Sequence, residues 1–91
     1  MVTQSAKLTF FIPYARSLKD KRMAARSLID KARRKFNASI AEVGTQEAHQ
    51  TLTLGVAVVS GEFSHARHML DEIIRYLDEN ADAELVSIET D

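Results

Sequence analysis

Residues 51–60, TLTLGVAVVS, are the most β-prone and least polar run of the chain, and they predict a central strand of a sheet. A second strand is predicted over residues 6–12, AKLTFFI, where apolar and polar side chains largely alternate with a period of two. Pro13 ends this strand because its ring removes the next ladder hydrogen-bond donor. The two runs are therefore expected to form the centre of one sheet.

Two further segments have the 3.6-residue spacing of amphipathic helices. One extends from Leu18 to about Phe36, and the other covers residues 62–79, with Asn80 as its expected C-cap. The apolar positions that define these two faces are Leu18, Ala25, Leu28, Ile29, Ala32, Phe36, Phe63, Ala66, Leu70, Ile73, Ile74 and Leu77. Each helix is thus expected to pack one face against the sheet.

Shorter β-prone runs complete the pattern. Residues 37–44, NASIAEVG, predict a second strand that ends where Gly44 opens a polar turn, and residues 83–90, AELVSIET, predict a last one. The order β-α-β-β-α-β, with right-handed crossovers, is typical of a ferredoxin-like split βαβ sandwich. Residues 1–91 are accordingly expected to form a single α+β domain, with a four-stranded antiparallel sheet in the order 4-1-3-2 and two helices on one face.

The other face of this sheet is expected to be open and bare. Its predicted side chains are small or apolar, and they belong to Thr9, Phe11, Thr53, Gly55, Ala57 and Val59. Exposed apolar surface of this kind is often a dimer interface or a binding platform.

Composition excludes several classes of protein. The 91 residues contain no apolar run near the roughly 20 residues of a membrane span, and the N-terminus lacks a signal-like apolar core. No Cys is present, which excludes disulfides, thiolate zinc sites and thiol nucleophiles. We expect a cytoplasmic protein that does not enter a membrane.

The net charge of −1 hides a strong asymmetry along the chain. Residues 16–35 hold nine of the twelve Lys and Arg against two acids, a local net charge of +7. Residues 36–91 hold two basic residues against eleven acids, a local net charge of −9. The first helix is therefore predicted to be a basic surface on an otherwise acidic protein.

The start of that helix, ARSLKDKR at residues 15–22, breaks a local rule. Ser17 is the expected N-cap and Asp20 lies three residues later, yet cations crowd a helix end that carries partial positive charge. Free amides beside cations favour an anion, and the cations further along the helix would attract a nucleic-acid backbone. The candidate anion-binding or nucleic-acid-binding residues are Arg16, Ser17, Lys19, Lys21, Arg22, Arg26, Arg33 and Arg34. The alternatives are a solvated helix face and compensation by Asp20 with a second carboxylate.

Signals for catalysis and for metals are weak. The chain has no GxSxG, P-loop or GxGxxG motif, so we expect a non-enzymatic protein without a cofactor. His65, His68 and Glu72 share one side of the second helix, but surface pairs of this kind are usually incidental and no metal is expected. Glu42 is interpreted as a surface residue of an edge strand, with a buried carboxylate as the alternative.

Three segments, IPYARSLKDKR, FNASIAEV and LGVAVVS, resemble the YlxP-like family of small uncharacterised bacterial proteins over nearly the whole chain. The matching residues are Ser17, Leu18, Lys19, Lys21, Arg22, Phe36, Asn37, Ser39, Ala41, Glu42 and Val43. The resemblance implies a ferredoxin-like fold and, because the family's genes tend to lie among translation and ribosome-maturation genes, a cytoplasmic protein near RNA or ribosomes. It implies no particular reaction.

The leading functional hypothesis is an accessory protein that associates with RNA or a ribosomal particle through its basic first helix. The alternative is a protein-interaction module or homodimer that acts through the open sheet face without nucleic acid. A phosphate-ester or acyl-phosphate enzyme is a third and weaker interpretation, since it rests on fold analogy alone.

Overall fold

A computed structural model describes residues 1–90 and contains the predicted order of elements. The strands are β1 (Val2–Phe11), β2 (Ser39–Glu42), β3 (Thr51–Ser60) and β4 (Glu84–Thr90), and the helices are α1 (Leu18–Lys35) and α2 (Phe63–Asn80). The four strands form one antiparallel sheet in the order β2-β3-β1-β4, which confirms the predicted order 4-1-3-2. The ferredoxin-like α+β fold is therefore confirmed.

Strand β1 begins four residues earlier than predicted. It pairs with β3 along its whole length, from Val2 opposite Ser60 to Phe11 opposite Thr51. The residues before Ala6 lack the apolar alternation that marks a strand, but β3 offers them a continuous hydrogen-bonding partner. Strand β2, in contrast, is shorter than predicted because it pairs with β3 only over Ser39–Glu42.

The core lies between the sheet and both helices. Alternate residues of the central strands are buried with the apolar faces of α1 and α2, as the periodicity predicts. The largest fully buried apolar side chains belong to Phe10, Leu8, Ile12, Ile40, Leu54, Leu70, Ile73, Leu77, Val56 and Val58. This core holds both helices on one face of the sheet.

The other sheet face carries a shallow groove of about 470 Å³, lined mainly by small residues of β1, β2 and β3. Phe11 and Val59 are exposed there, with 40% and 59% of their surface accessible. Gly55 keeps the groove floor low, since a Cβ at this position would lie 3.3 Å from Val43 Cγ1. Thr53, predicted to be exposed, is instead buried, and its amide donates to Thr45 Oγ1 in the loop that follows β2.

Candidate nucleic-acid interface on the first helix

At the start of α1, the side chains of Ser17 and Asp20 accept hydrogen bonds from nearby backbone amides. Ser17 is the N-cap, and its Oγ accepts a hydrogen bond from the Asp20 amide at 3.1 Å. The Asp20 carboxylate in turn accepts from the Arg16 amide at 2.9 Å. The predicted cap is confirmed, and Asp20 supplies the negative charge that the helix dipole favours. Asp20 thus supplies one of the two carboxylates that the alternative required, and the amides of Arg16 and Asp20 are occupied within the chain.

Lys21 does not belong to the exposed basic surface, which corrects its place among the candidate residues. Its side chain is fully buried, and its ammonium lies 2.8 Å from Glu42 Oε2. The same ammonium donates hydrogen bonds to the carbonyl of Thr45, in the loop between β2 and β3, and to that of Thr51, the first residue of β3. A buried ammonium needs such partners because burial removes its hydration. Lys21 is therefore unavailable to an external anion.

The sequence contains the signal for this burial. Lys21 lies four residues before Ala25 and seven before Leu28, so it falls on the buried face of α1. Glu42, on edge strand β2, is the partner that accounts for the charge, and its side chain is only 18% exposed. The interpretation of Glu42 as a surface residue is therefore wrong, and its carboxylate forms an ion pair rather than a directional hydrogen bond.

The remaining candidate cations are exposed on α1 or at its start. They belong to Arg16, Lys19, Arg22, Arg26, Arg33 and Arg34. Within residues 1–90, no carboxylate oxygen lies within 4.0 Å of any of their charged groups. These exposed cations are therefore not neutralised by ion pairs with the rest of residues 1–90.

Two of these arginines also contact the backbone. Arg33 Nη2 donates to the carbonyl of Ile40 at 2.5 Å, which ties α1 to edge strand β2. Arg34 Nε donates to the carbonyl of Asp30 at 3.3 Å, within the same helix. Neither contact cancels the charge of the guanidinium, which keeps further N–H donors.

Four of the exposed cations form a row along one flank of α1. Lys19, Arg22, Arg26 and Arg33 fall within about 60° of one another around the helix axis at 100° per residue. From Lys19 to Arg33 the row extends about 21 Å at a rise of about 1.5 Å per residue. We call these four residues the basic row. Three of its members line a shallow groove of about 370 Å³ between α1 and β2, together with Asp30 and Glu42.

The histidines do not converge on a metal site. His65 shares a hydrogen bond of 3.0 Å with Ser60 Oγ, and His68 lies 3.7 Å from Glu72. Among residues 1–90, no three potential ligands of the His, Cys, Asp or Glu type come together. His49 is exposed in the loop between β2 and β3.

The family described as "Protein of unknown function (DUF503)" matches residues 3–90. The chain belongs to this family. Uncharacterized protein YlxP of Bacillus subtilis (strain 168) is 33% identical over 64 residues, which are 70% of this chain and 70% of that protein. The resemblance drawn from the sequence is thereby confirmed. Two of the segments that carry it meet in the fold at the ion pair of Lys21 and Glu42.

Solved structures add evidence on the fold. The solution NMR structure of a de novo designed protein with a ferredoxin fold is similar to this chain with a TM-score of 0.60 at 18% identity. The similarity covers 100% of this chain and 84% of the designed chain. Neither helix among residues 1–90 is apolar over a length that could cross a bilayer.

Proposed function

We propose that this DUF503 protein binds the phosphate backbone of RNA through α1 and acts, without catalysis, as an accessory protein of RNA or of a ribosomal particle. The observation that carries the proposal is the basic row, whose cations face solvent without a carboxylate partner in residues 1–90. Exposed cations along a rigid element attract polyanions and release their counterions on binding. The proposed location is the cytoplasm, where RNA and ribosomes are found.

The acidic remainder of the chain supports a defined orientation. Residues 36–91 carry a net charge of −9, so a polyanion is repelled from the side of α2 and β4 and attracted only to α1. The net charge of −1 also distinguishes this protein from generally basic RNA-binding domains. Binding would depend on where the charge lies rather than on its total.

A salt titration tests the proposal directly. Fluorescence anisotropy of a labelled, structured RNA is measured with the wild-type protein at about 50 and 200 mM salt. If all four cations of the basic row contact phosphates, affinity falls about 100-fold between the two salt concentrations. The variant Lys19→Glu/Arg22→Glu/Arg26→Glu should lose most of the binding at low salt.

A matched control separates the basic row from net charge. The variant Lys7→Glu/Arg67→Glu/Arg75→Glu changes the net charge equally at exposed positions outside α1. It should bind RNA far better than the row variant, with circular dichroism confirming that both variants are folded. Equal binding by wild type and the row variant would refute the proposal. Cosedimentation with ribosomal particles, and release by nuclease, would show whether the partner is ribosomal.

The second candidate is a protein-interaction module or homodimer that acts through the open sheet face. Two observations favour it: the shallow groove on this face, and the exposure of Phe11 and Val59 elsewhere on the same face. Within residues 1–90, the only cation in the groove, Lys7, forms an ion pair of 3.6 Å with Glu89, so this face offers RNA no unpaired positive charge there and suits a protein partner better. Sedimentation at several concentrations, with Phe11→Ser as the disrupting variant, tests it; a strictly monomeric wild type would exclude the homodimer.

A further inference from the structure

We propose that the RNA bound by α1 is a duplex, contacted along its backbone without base recognition. This inference rests on the proposed function, since it specifies the kind of RNA that the basic row fits. It follows from where the aromatic side chains lie and from the rigidity of α1.

Proteins that hold unpaired bases usually stack them on aromatic side chains beside a basic groove. The chain has four Phe, two Tyr and no Trp. Phe10 is buried, Phe36 and Tyr76 pack edge to face with ring centroids 5.5 Å apart, and Phe63 is 60% exposed but lies at the start of α2, on the other helix. These four rings do not form a platform beside the basic row.

The two other aromatic residues are exposed but lie away from the basic row. Phe11 points to the open sheet face, on the side opposite the helices. Tyr14 lines a cavity of about 140 Å³ with Ala24 and Lys31, which lie on the opposite flank of α1 from the basic row. An unpaired base next to the row would therefore gain no aromatic stacking, which is worth about 1–3 kcal/mol per base where it occurs.

The basic row also stands on a rigid support. Ala25, Leu28 and Ala32 anchor α1 in the core, and the buried ammonium of Lys21 ties its first half to the loop between β2 and β3. Arg33 ties its last turn to β2 through the carbonyl of Ile40. The backbone positions of the cations are therefore set before any ligand arrives.

A rigid row of cations suits a ligand whose phosphates are also fixed. A duplex presents its phosphates at high density in a set geometry, and each neutralised phosphate releases more counterion than in a single strand. A flexible single strand must first be ordered along the row, which costs conformational entropy that stacking would normally offset. Backbone contacts alone carry no direct sequence information.

The test compares one RNA in two forms. A labelled 16-base-pair RNA duplex, and each of its strands alone with sequences chosen to avoid self-pairing, are titrated with wild-type protein at about 50 mM salt. We expect the duplex to bind at least tenfold more tightly than either strand, and a second duplex of unrelated sequence to bind within about twofold of the first. The row variant Lys19→Glu/Arg22→Glu/Arg26→Glu should lose duplex binding.

Failure of this inference can be told apart from failure of the proposed function. If a single strand binds as tightly as the duplex, or if two duplexes differ tenfold, the inference is overturned while RNA binding stands. If no RNA form binds, the proposed function fails with it. The folded variants Phe11→Ala, Tyr14→Ala and Phe63→Ala should retain wild-type affinity for every RNA form, and a tenfold loss in any of them would reveal stacking and overturn the inference.

Discussion

The two helices have the same length and lie on the same side of the sheet, yet they differ in whether their exposed cations form ion pairs. On α2, Arg67 lies 3.5 Å from Asp71 and Arg75 lies 3.8 Å from Glu72, so its cations are paired within one turn. On α1, the exposed cations of the basic row have no carboxylate within 4.0 Å among residues 1–90. The contrast shows that α2 pairs its arginines locally, whereas the basic row of α1 keeps its charge exposed to solvent.

Within α1 itself, Lys21 is a buried cation whose ammonium has an ion-pair partner and hydrogen-bond acceptors inside the fold. Replacing it by Met leaves Glu42 without its ion-pair partner and the carbonyls of Thr45 and Thr51 without a donor. The free energy of unfolding should therefore fall by about 3 kcal/mol. Urea denaturation measures this loss. The matched variant Lys19→Met removes an exposed cation two residues earlier and should change stability by less than about 0.5 kcal/mol.

A double variant sharpens the interpretation of Lys21. Lys21→Met combined with Glu42→Leu removes both charges, so it should be more stable than Lys21→Met alone. If the double variant is destabilised by the full sum of the two single effects, the residues do not interact and the ion pair has no energetic role.

The cap at the start of α1 is the next largest effect. Ser17→Ala removes the side-chain oxygen that accepts a hydrogen bond from the Asp20 amide, and it should lower the free energy of unfolding by about 1 kcal/mol. Thermal unfolding by circular dichroism measures the change. Ser27→Ala provides the control, because Ser27 is exposed inside the same helix, where Ala is the better helix former. A loss as large in Ser27→Ala would show that Ser17 does not act as a cap.

A single substitution separates stability from binding on the basic row. Lys19 lies in the first turn of α1, where a cation opposes the helix dipole, so Lys19→Glu should stabilise the fold by a few tenths of a kcal/mol. The same change should weaken RNA binding at low salt. Arg34→Glu makes the same change in charge in the last turn, where a cation is favoured, and should destabilise the fold instead. Equal signs for the two stability effects would rule out the dipole explanation.

The smallest expected effect on stability comes from Tyr14, which precedes α1 and lies beside the flank of that helix away from the basic row. Its partial burial, and secondly the nearby Asp82 carboxylate, raise the pKa of its phenol above 10.0. The folded chain therefore holds this proton more firmly than the unfolded chain, and the resulting stability, present below pH 10, is lost as pH rises through the raised pKa. A tyrosinate absorbance titration in a Tyr76→Phe background measures the pKa of Tyr14.

Asp82→Asn is the informative variant for Tyr14. It should lower the pKa of Tyr14 toward 10.0 without reaching it, because burial is the larger cause of the shift. An unchanged pKa in this variant would mean that Asp82 has no electrostatic effect on the phenol.

The comparison of the two helices also shows how far sequence reasoning reached. The periodicities of residues 6–12 and 51–60 and of the two helices predicted the type of each element, because alternation and 3.6-residue spacing each determine which side chains face the core. The order of these elements, with right-handed crossovers, then predicted the sheet order. The cap at Ser17 was also predictable, since its partner lies three residues away. The part of strand β1 before Ala6 was not predictable, because it forms by pairing with residues of β3 that are more than 50 positions away in the sequence.

Local sequence therefore determined the fold, the helix cap and the concentration of positive charge on α1. Helix periodicity places Lys21 on the buried face of α1, but only the tertiary structure decided which groups satisfy its charge, because the carboxylate and carbonyls near it come from distant segments. Lys21 meets Glu42 and the loop between β2 and β3 and is buried, whereas Arg22, its neighbour in sequence, faces solvent. Charge in a sequence is a local property, and its neutralisation is a property of the fold.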